Sequence, residues 1–211
     1  MTALSDAIAQ LRIDLDDQDA TAYRWTDAEL TEHINHALAD LSQDMPLEAK
    51  NTLTTTAGSR DISIAALVPR VALTAVEYPV AQYPPTYVDF SVWLNTLTML
   101  IDSTPAGVEN VYVYWLTHHT LATATTLDAA QLQLLLVGAA GYAAADQAAS
   151  TTGVFSMGGP QAGKDLAAMS MRLLRDFRAT LRRKGLRGHV RTGRLYTPAE
   201  PAATQDTDPG P

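Results

Sequence analysis

The sequence predicts an α+β protein with a helical core of about four helices, an inserted antiparallel β element and an extended C-terminal arm. Apolar residues recur at helical spacing before residue 50 and again after residue 126. Between them, residues 51–125 are rich in β-branched and aromatic side chains. The chain has 211 residues, of which 46 % are hydrophobic, so it is long enough to bury a core.

These patterns divide the chain into four segments. We expect an N-terminal helical hairpin at 1–50, a β-rich insert at 51–125, helices that complete the helical core at 126–184, and an extended basic arm with a disordered tail at 185–211. No linker between them is long enough to separate independent domains.

Two helices are predicted in the first segment. The first has an apolar stripe at helical spacing, formed by Leu4, Ile8, Leu11 and Leu15. The second begins after Thr26, which forms the capping-box pattern T-x-x-E with Glu29, and Trp25 and Leu30 flank this pattern as a hydrophobic staple. Pro46 ends this helix, because proline cannot donate the backbone hydrogen bond that a helix interior needs.

The β-rich insert is expected to hold about four to six antiparallel strands. Proline- and glycine-containing turns at 83–85 and 104–107 separate its apolar runs. The segments on either side of residues 57–59 alternate Thr and Ile, which predicts that they pair as a hairpin.

A helix with its N-cap at Thr126 or Asp128 is predicted to run to about residue 149. Gly138 and Gly141 give it a narrow face for close packing. A last helix is expected from about residue 161 to 184, ended by the glycines at 185 and 188. Its predicted apolar stripe consists of Leu166, Met169, Leu173, Leu174, Phe177 and Leu181.

The composition excludes several classes of function. The chain has no cysteine, which removes disulfides, thiolate metal sites and cysteine catalysis. Its most apolar run, residues 132–145, is shorter than the roughly 20 residues of a membrane span, so we read it as a buried helix. The N-terminus lacks the pattern of a secretion signal.

Positive charge is concentrated near the C-terminus. Nine of the fifteen basic residues lie between Arg172 and Arg194, a stretch of net charge +8, whereas residues 1–171 have a net charge of −13. Charge segregated in this way repels itself unless an opposite charge meets it, so it indicates a docking surface and not a buried active site.

One segment imitates a nucleotide-binding loop. Residues 158–164 match the phosphate-loop pattern G-x-x-x-x-G-K, but Asp165 stands where that loop needs Ser or Thr for magnesium. Pro160 also removes an amide that would hold the phosphate. We therefore expect a helix-joining loop, with Lys164 and Asp165 in the first turn of the last helix.

No metal or catalytic site is expected. Asp14, Asp16, Asp17 and Asp19 lack the Gly and Glu of a calcium loop and are read as a solvated linker. His33 and His36 lack a third ligand, and the adjacent His118 and His119 would point to opposite faces of a strand. We predict that the protein is not an enzyme and uses no cofactor.

The basic arm has three interpretations. It is a solvated helix face, a nucleic-acid-binding helix with Phe177 and Tyr196 as stacking aromatics, or a segment that docks onto an acidic protein. We favour docking, because the basic residues continue past the glycines and Leu195 and Tyr196 supply an apolar anchor. Nucleic-acid binding is the alternative. The predicted docking residues are Arg182, Arg183, Lys184, Arg187, Arg191, Arg194, Leu195 and Tyr196.

Several motifs, taken in order, resemble a known family. They are L-R-x-D-L-x-D at 11–17, the run from Tyr23 to Leu38, V-E-Y-P-V at 76–80, Y-W-x-x-H-H-T-L at 114–121 and R-L-Y-T-P at 194–198. Over most of residues 4–198 the chain resembles head-to-tail adaptor proteins of tailed bacteriophages, in particular those with a β insert.

The resemblance implies a virion protein of the neck, assembled in the host cytoplasm as a ring of about twelve copies under the portal protein. Such a ring extends the channel for packaged DNA and offers a platform to a tail-side neck or tail protein. The C-terminal arm would dock into the portal, which maps here onto Arg182 to Tyr196. A membrane partner is not implied.

Overall fold

The computed structural model describes residues 3–150 and 162–188. Along the chain, two helices come first, a set of strands follows, and two helices come last. Within these ranges the helices are α1 (Ala3–Asp14), α2 (Asp27–Asp44), α3 (Ala129–Ser150) and α4 (Ala162–Gly188). The strands are β1 (Leu47–Thr54), β2 (Asp61–Ser63), β3 (Arg70–Glu77), β4 (Tyr87–Val88), β5 (Phe90–Trp93), β6 (Thr96–Met99) and β7 (Asn110–Thr117). The α+β class with an inserted antiparallel β element is confirmed, whereas the division into segments stays a prediction.

Side chains cap α2 and α3 at their first turns. The Thr26 hydroxyl accepts a hydrogen bond from Glu29 N at 3.2 Å, and the Glu29 carboxylate accepts one from Thr26 N at 2.7 Å, so the predicted capping box is confirmed. Asp128 and Gln131 exchange the same two hydrogen bonds, at 2.7 and 2.9 Å. Of the two N-caps predicted for α3, Asp128 is therefore the right one.

The helices pack around one buried apolar cluster, to which all four contribute. Gly138 and Gly141 allow α4 to approach α3 closely, as predicted. A Cβ at Gly138 would lie 2.8 Å from the Phe177 ring, and one at Gly141 would lie 2.9 Å from Leu174. Ser170 adds a hydrogen bond from its hydroxyl to the Gly141 carbonyl, at 2.9 Å.

Helix α3 runs antiparallel to both α2 and α4. On α2, His33 contacts Asp146 and the later His36 contacts the earlier Tyr142 of α3. On α4, Ser170 contacts Gly141 and the later Phe177 contacts the earlier Gly138 of α3. The start of α2, the end of α3 and the start of α4 therefore lie at one end of the helical core. The connection from α1 to α2 lies at the same end.

Two predictions for α4 are wrong. Met169 is 40 % exposed, and Ser170, only 4 % exposed, takes its place against α3. Gly185 does not end α4, which continues to Gly188. Gly185 is instead the point where α4 touches the end of α2, because a Cβ there would overlap the backbone oxygen of Asp44.

The strands form two antiparallel sheets, of order β1-β7-β3-β4 and β2-β6-β5. A second buried cluster takes side chains from both sheets. The predicted hairpin across residues 57–59 is wrong, because β1 and β2 belong to different sheets. The described residues contain seven strands, more than predicted, since residues 86–101 alone form three short ones.

The insert is attached to the helices through paired strands. Strands β1 and β7 pair over their full length, from Leu47 with Thr117 to Thr54 with Asn110. His119 follows β7 and is 5 % exposed, with Nε2 3.0 Å from the Met45 carbonyl and Nδ1 3.0 Å from the Thr126 hydroxyl. Because a carbonyl only accepts, Nε2 donates to Met45, and the ring joins the end of α2 to the segment before α3.

Candidate docking surface

The predicted docking residues divide between the end of α4 and residues beyond it. Arg182 and Arg183 are exposed and Lys184 is half-buried. Consecutive residues of a helix point about 100° apart, so these three do not share one face. Arg187 belongs to the last turn of α4, and Arg191, Arg194, Leu195 and Tyr196 lie outside the described residues.

A cationic groove lies on one face of α4 and was not singled out from the sequence. We call it the α4 groove, and its lining consists of Met171, Leu174, Arg175, Arg178, Ala179 and Arg182. Met171 is 68 % exposed, so the groove has an apolar side chain among its guanidinium groups. The signal was present in the sequence, because 171, 175, 178 and 182 are three or four residues apart and therefore share a helical face.

Tyr142 of α3 holds one arginine of the groove in place. The Tyr142 hydroxyl donates to Asp40 Oδ2 and accepts from Arg178 at 3.2 Å, and its ring stacks on His36 at 4.1 Å. Burial, and then the hydrogen bond to Asp40, raise the pKa of Tyr142, so the hydroxyl keeps its proton. The bond to the Tyr142 oxygen raises the pKa of Arg178.

Arginines of the groove also approach the end of α2. Arg178 and Arg182 line a second shallow depression together with Asp40, Gln43 and Asp44. Both aspartates are half-buried, so they reduce the positive charge at this edge without covering it.

The end of α1 and the start of its connection to α2 present carboxylates, and we call residues 13–19 the acidic elbow. Asp14, Asp16 and Asp19 are exposed, as expected of a solvated linker. Asp17 was wrongly included with them, because it is 3 % exposed. Its carboxylate accepts from the buried Arg12 guanidinium at 2.6 Å and from Arg24 N at 2.8 Å.

The buried Arg12 side chain holds the acidic elbow in place through its hydrogen bonds. Its guanidinium also donates to the Trp25 carbonyl at 2.9 Å and to Asp27 at 2.7 Å, and it lies 3.7 Å from the centre of the Tyr23 ring. These contacts of Arg12 could not be predicted from the sequence, because a buried arginine beside an acidic turn has the same local sequence pattern as an exposed one. The elbow is thus a fixed shape that displays its remaining carboxylates.

The histidines of the helical core serve packing. His36 stacks on Tyr142, and His33 lies 4.0 Å from Asp146 with its Nε2 buried and without a hydrogen-bond partner. Burial lowers the pKa of His33, against a weaker opposite effect of Asp146. No three His, Cys, Asp or Glu side chains within 3–150 and 162–188 are grouped as a metal site requires.

The helix-joining interpretation of the imitation phosphate loop agrees with the start of α4. Lys164 and Asp165 are exposed in its first turn, while residues 158–161 lie outside the described residues. Phe177 is fully buried in the helical core. It is therefore unavailable as a stacking aromatic, which weakens the nucleic-acid interpretation of the basic helix.

A family model described as SU10 adaptor protein matches residues 2–199. No curated protein matches the chain. None of the helices in the described parts of the chain has an apolar stretch long enough to cross a membrane.

Proposed function

The chain belongs to the SU10 adaptor protein family, which confirms the resemblance to phage adaptors, and we propose that it joins the capsid to the tail as a ring below the portal. The ring contains about twelve copies, extends the channel for packaged DNA and binds a tail-side protein on its other side. The protein acts by docking, without catalysis or a cofactor. The observation that carries this proposal is the family match, which includes the basic arm.

The distribution of charge supports docking through the C-terminal arm. Residues 1–171 are strongly acidic, whereas residues 172–194 have a net charge of +8. An anionic body adheres weakly to DNA phosphates, which suits a channel through which the duplex must move. A cationic arm is attracted to an acidic surface of the portal, because arginine forks pair well with carboxylates.

Helix α4 gives the arm a firm base. Phe177 and Leu181 are buried in the helical core, and Gly185 lies against the backbone of Asp44. The docking residues nearest this base are Arg182, Arg183 and Lys184, and beyond them follow Arg187, Arg191, Arg194, Leu195 and Tyr196. The nine residues 189–197 span at most about 30 Å when extended, which is enough to reach the surface of a neighbouring molecule.

Many weak arms make a firm joint when they act together. Each exposed ion pair contributes only about 0–1 kcal/mol. In a closed ring, the first arm that docks raises the effective concentration of all the others, so the ring binds far more tightly than one chain.

Deletion of the arm tests the proposal. A chain ending at Gly188 keeps Gly185 and the buried face of α4, so it should fold with unchanged thermal stability but fail to bind portal-containing capsids in co-sedimentation. A full-length variant with Glu in place of Arg191 and Arg194 should fail in the same way. Binding of either variant at wild-type affinity contradicts the assignment of the arm.

The full-length protein and the deletion variant also distinguish portal docking from nucleic-acid binding. The proposal expects no DNA shift of the full-length protein at physiological salt in a gel assay. A shift that is tight at low salt, falls steeply as salt rises, and disappears on deletion of the arm would favour the nucleic-acid alternative.

A further inference from the structure

We propose that the α4 groove binds the acidic elbow of a second copy of this chain, so that the two surfaces form the contact between neighbours in the ring. This inference rests on the proposed function and deepens it by naming the surfaces. The groove and the elbow have opposite charge, and each also exposes one apolar side chain. These are Met171 in the groove, 68 % exposed, and Ile13 in the elbow, 54 % exposed.

The groove lacks a strong counter-charge within its own copy. Among the described residues, Arg175 pairs only with its neighbour Asp176, at 3.6 Å and with both side chains largely exposed. Arg178 is held by the neutral Tyr142 hydroxyl. Arg182 is exposed and has only the half-buried Asp40 and Asp44 beside it.

The elbow has the matching chemistry. Asp14, Asp16 and Asp19 are exposed, and the buried pair of Arg12 with Asp17 holds the turn in one shape. A surface that is already ordered loses little conformational entropy on binding. The nearby Arg12 does not neutralise these carboxylates, because Asp17 and Asp27 already occupy it.

The two surfaces of one copy lie apart along the helical core. The elbow lies beside the start of α2, whereas Arg178 contacts Tyr142 and, through it, Asp40 near the end of α2. From Asp27 to Asp40 the helix advances about 20 Å. Unlike surfaces at different positions on a subunit produce a head-to-tail contact, which closes into a ring when the rotation between copies permits.

Thiol crosslinking tests the contact in a chain that has no cysteine of its own. Ala179→Cys marks the groove and Gln18→Cys marks the elbow, and both positions are exposed. At low salt and high protein concentration, the double variant treated with a short thiol crosslinker should give a ladder of dimers, trimers and larger species. Each single variant should stay monomeric, because a head-to-tail contact brings unlike positions together.

Charge reversal in the double-cysteine background identifies the pairing. Arg175→Glu and Asp14→Arg should each abolish most of the ladder, and their combination should restore it. Lys164→Glu is the matched control, since Lys164 is also exposed but lies in the first turn of α4, about 10 Å along the helix from Met171. This control should retain the ladder.

Several results would overturn the inference. They are the absence of a ladder, crosslinked dimers from either single variant, an equal loss with Lys164→Glu, or no recovery in the combined variant. None of these variants alters the arm beyond Gly188. Portal binding without a ladder therefore refutes this contact alone, and a ladder without portal binding refutes the proposed function alone.

Discussion

Replacing Gly185 by alanine should destabilise the protein, although alanine is the better helix former. The new Cβ would stand closer than 3.0 Å to the backbone oxygen of Asp44, and a backbone atom cannot turn aside as a side chain can. Overpacking of this kind costs about 3 kcal/mol at the upper end of its usual range. The higher helix propensity of alanine stabilises the protein by about 1 kcal/mol, so the free energy of unfolding should fall by about 2 kcal/mol in total.

The melting temperature measures this loss. For a chain of this size, 2 kcal/mol corresponds to a fall of roughly 4–8 °C, which calorimetry or circular dichroism resolves. Ala179→Gly, at an exposed position of the same helix, calibrates helix propensity and should cost about 1 kcal/mol. A Gly185→Ala protein that melts at or above the wild-type temperature would refute the close contact between α4 and the end of α2.

Two further predictions concern buried charge in the helical core. Arg12→Met leaves the Asp17 carboxylate buried without its cation, so it should lower the free energy of unfolding in urea by about 3–5 kcal/mol. The double variant Arg12→Met/Asp17→Leu should lower it by less. Equal losses in the two variants would contradict the pairing. Because burial holds the pKa of His33 below its ordinary value of 6.5, the unfolded chain takes up a proton there before the folded protein does. The contribution of neutral His33 to stability should therefore be fully present above pH 6.5 and decline as the pH falls below it. Melting temperatures recorded on both sides of pH 6.5 should fall less steeply with pH in His33→Gln than in the wild type. An unchanged slope in this variant would contradict the role of His33.

Local signals predicted the helices well. The capping box at Thr26 and the apolar stripes depend on neighbours within one helical turn, which the sequence displays directly. The close face formed by Gly138 and Gly141 was predictable for the same reason. The strands were harder, because pairing joins residues far apart in the chain, and β1 pairs with β7 and not with β2.

Features of the candidate surface depend on contacts between distant segments. The sequence predicts a helix end at Gly185, because it does not show that Asp44 lies against this glycine. Asp17 was counted with its exposed neighbours, because its burial depends on Arg12 and on the backbone of Arg24. The arginine spacing that forms the α4 groove was visible, but its meaning required knowing which face of α4 is buried.

The paired strands at the base of the insert have a consequence for how the chain tolerates change. Leu47 and Thr117 are cross-strand partners, so the backbone departs from the helices and comes back to them at points only about 5 Å apart. The distance between the two points where the insert joins the helices therefore stays the same, whatever the length of the polypeptide between them. A segment bounded in this way meets the geometric condition for an exchangeable cassette, which can be shortened, enlarged or replaced while the bundle around it is kept.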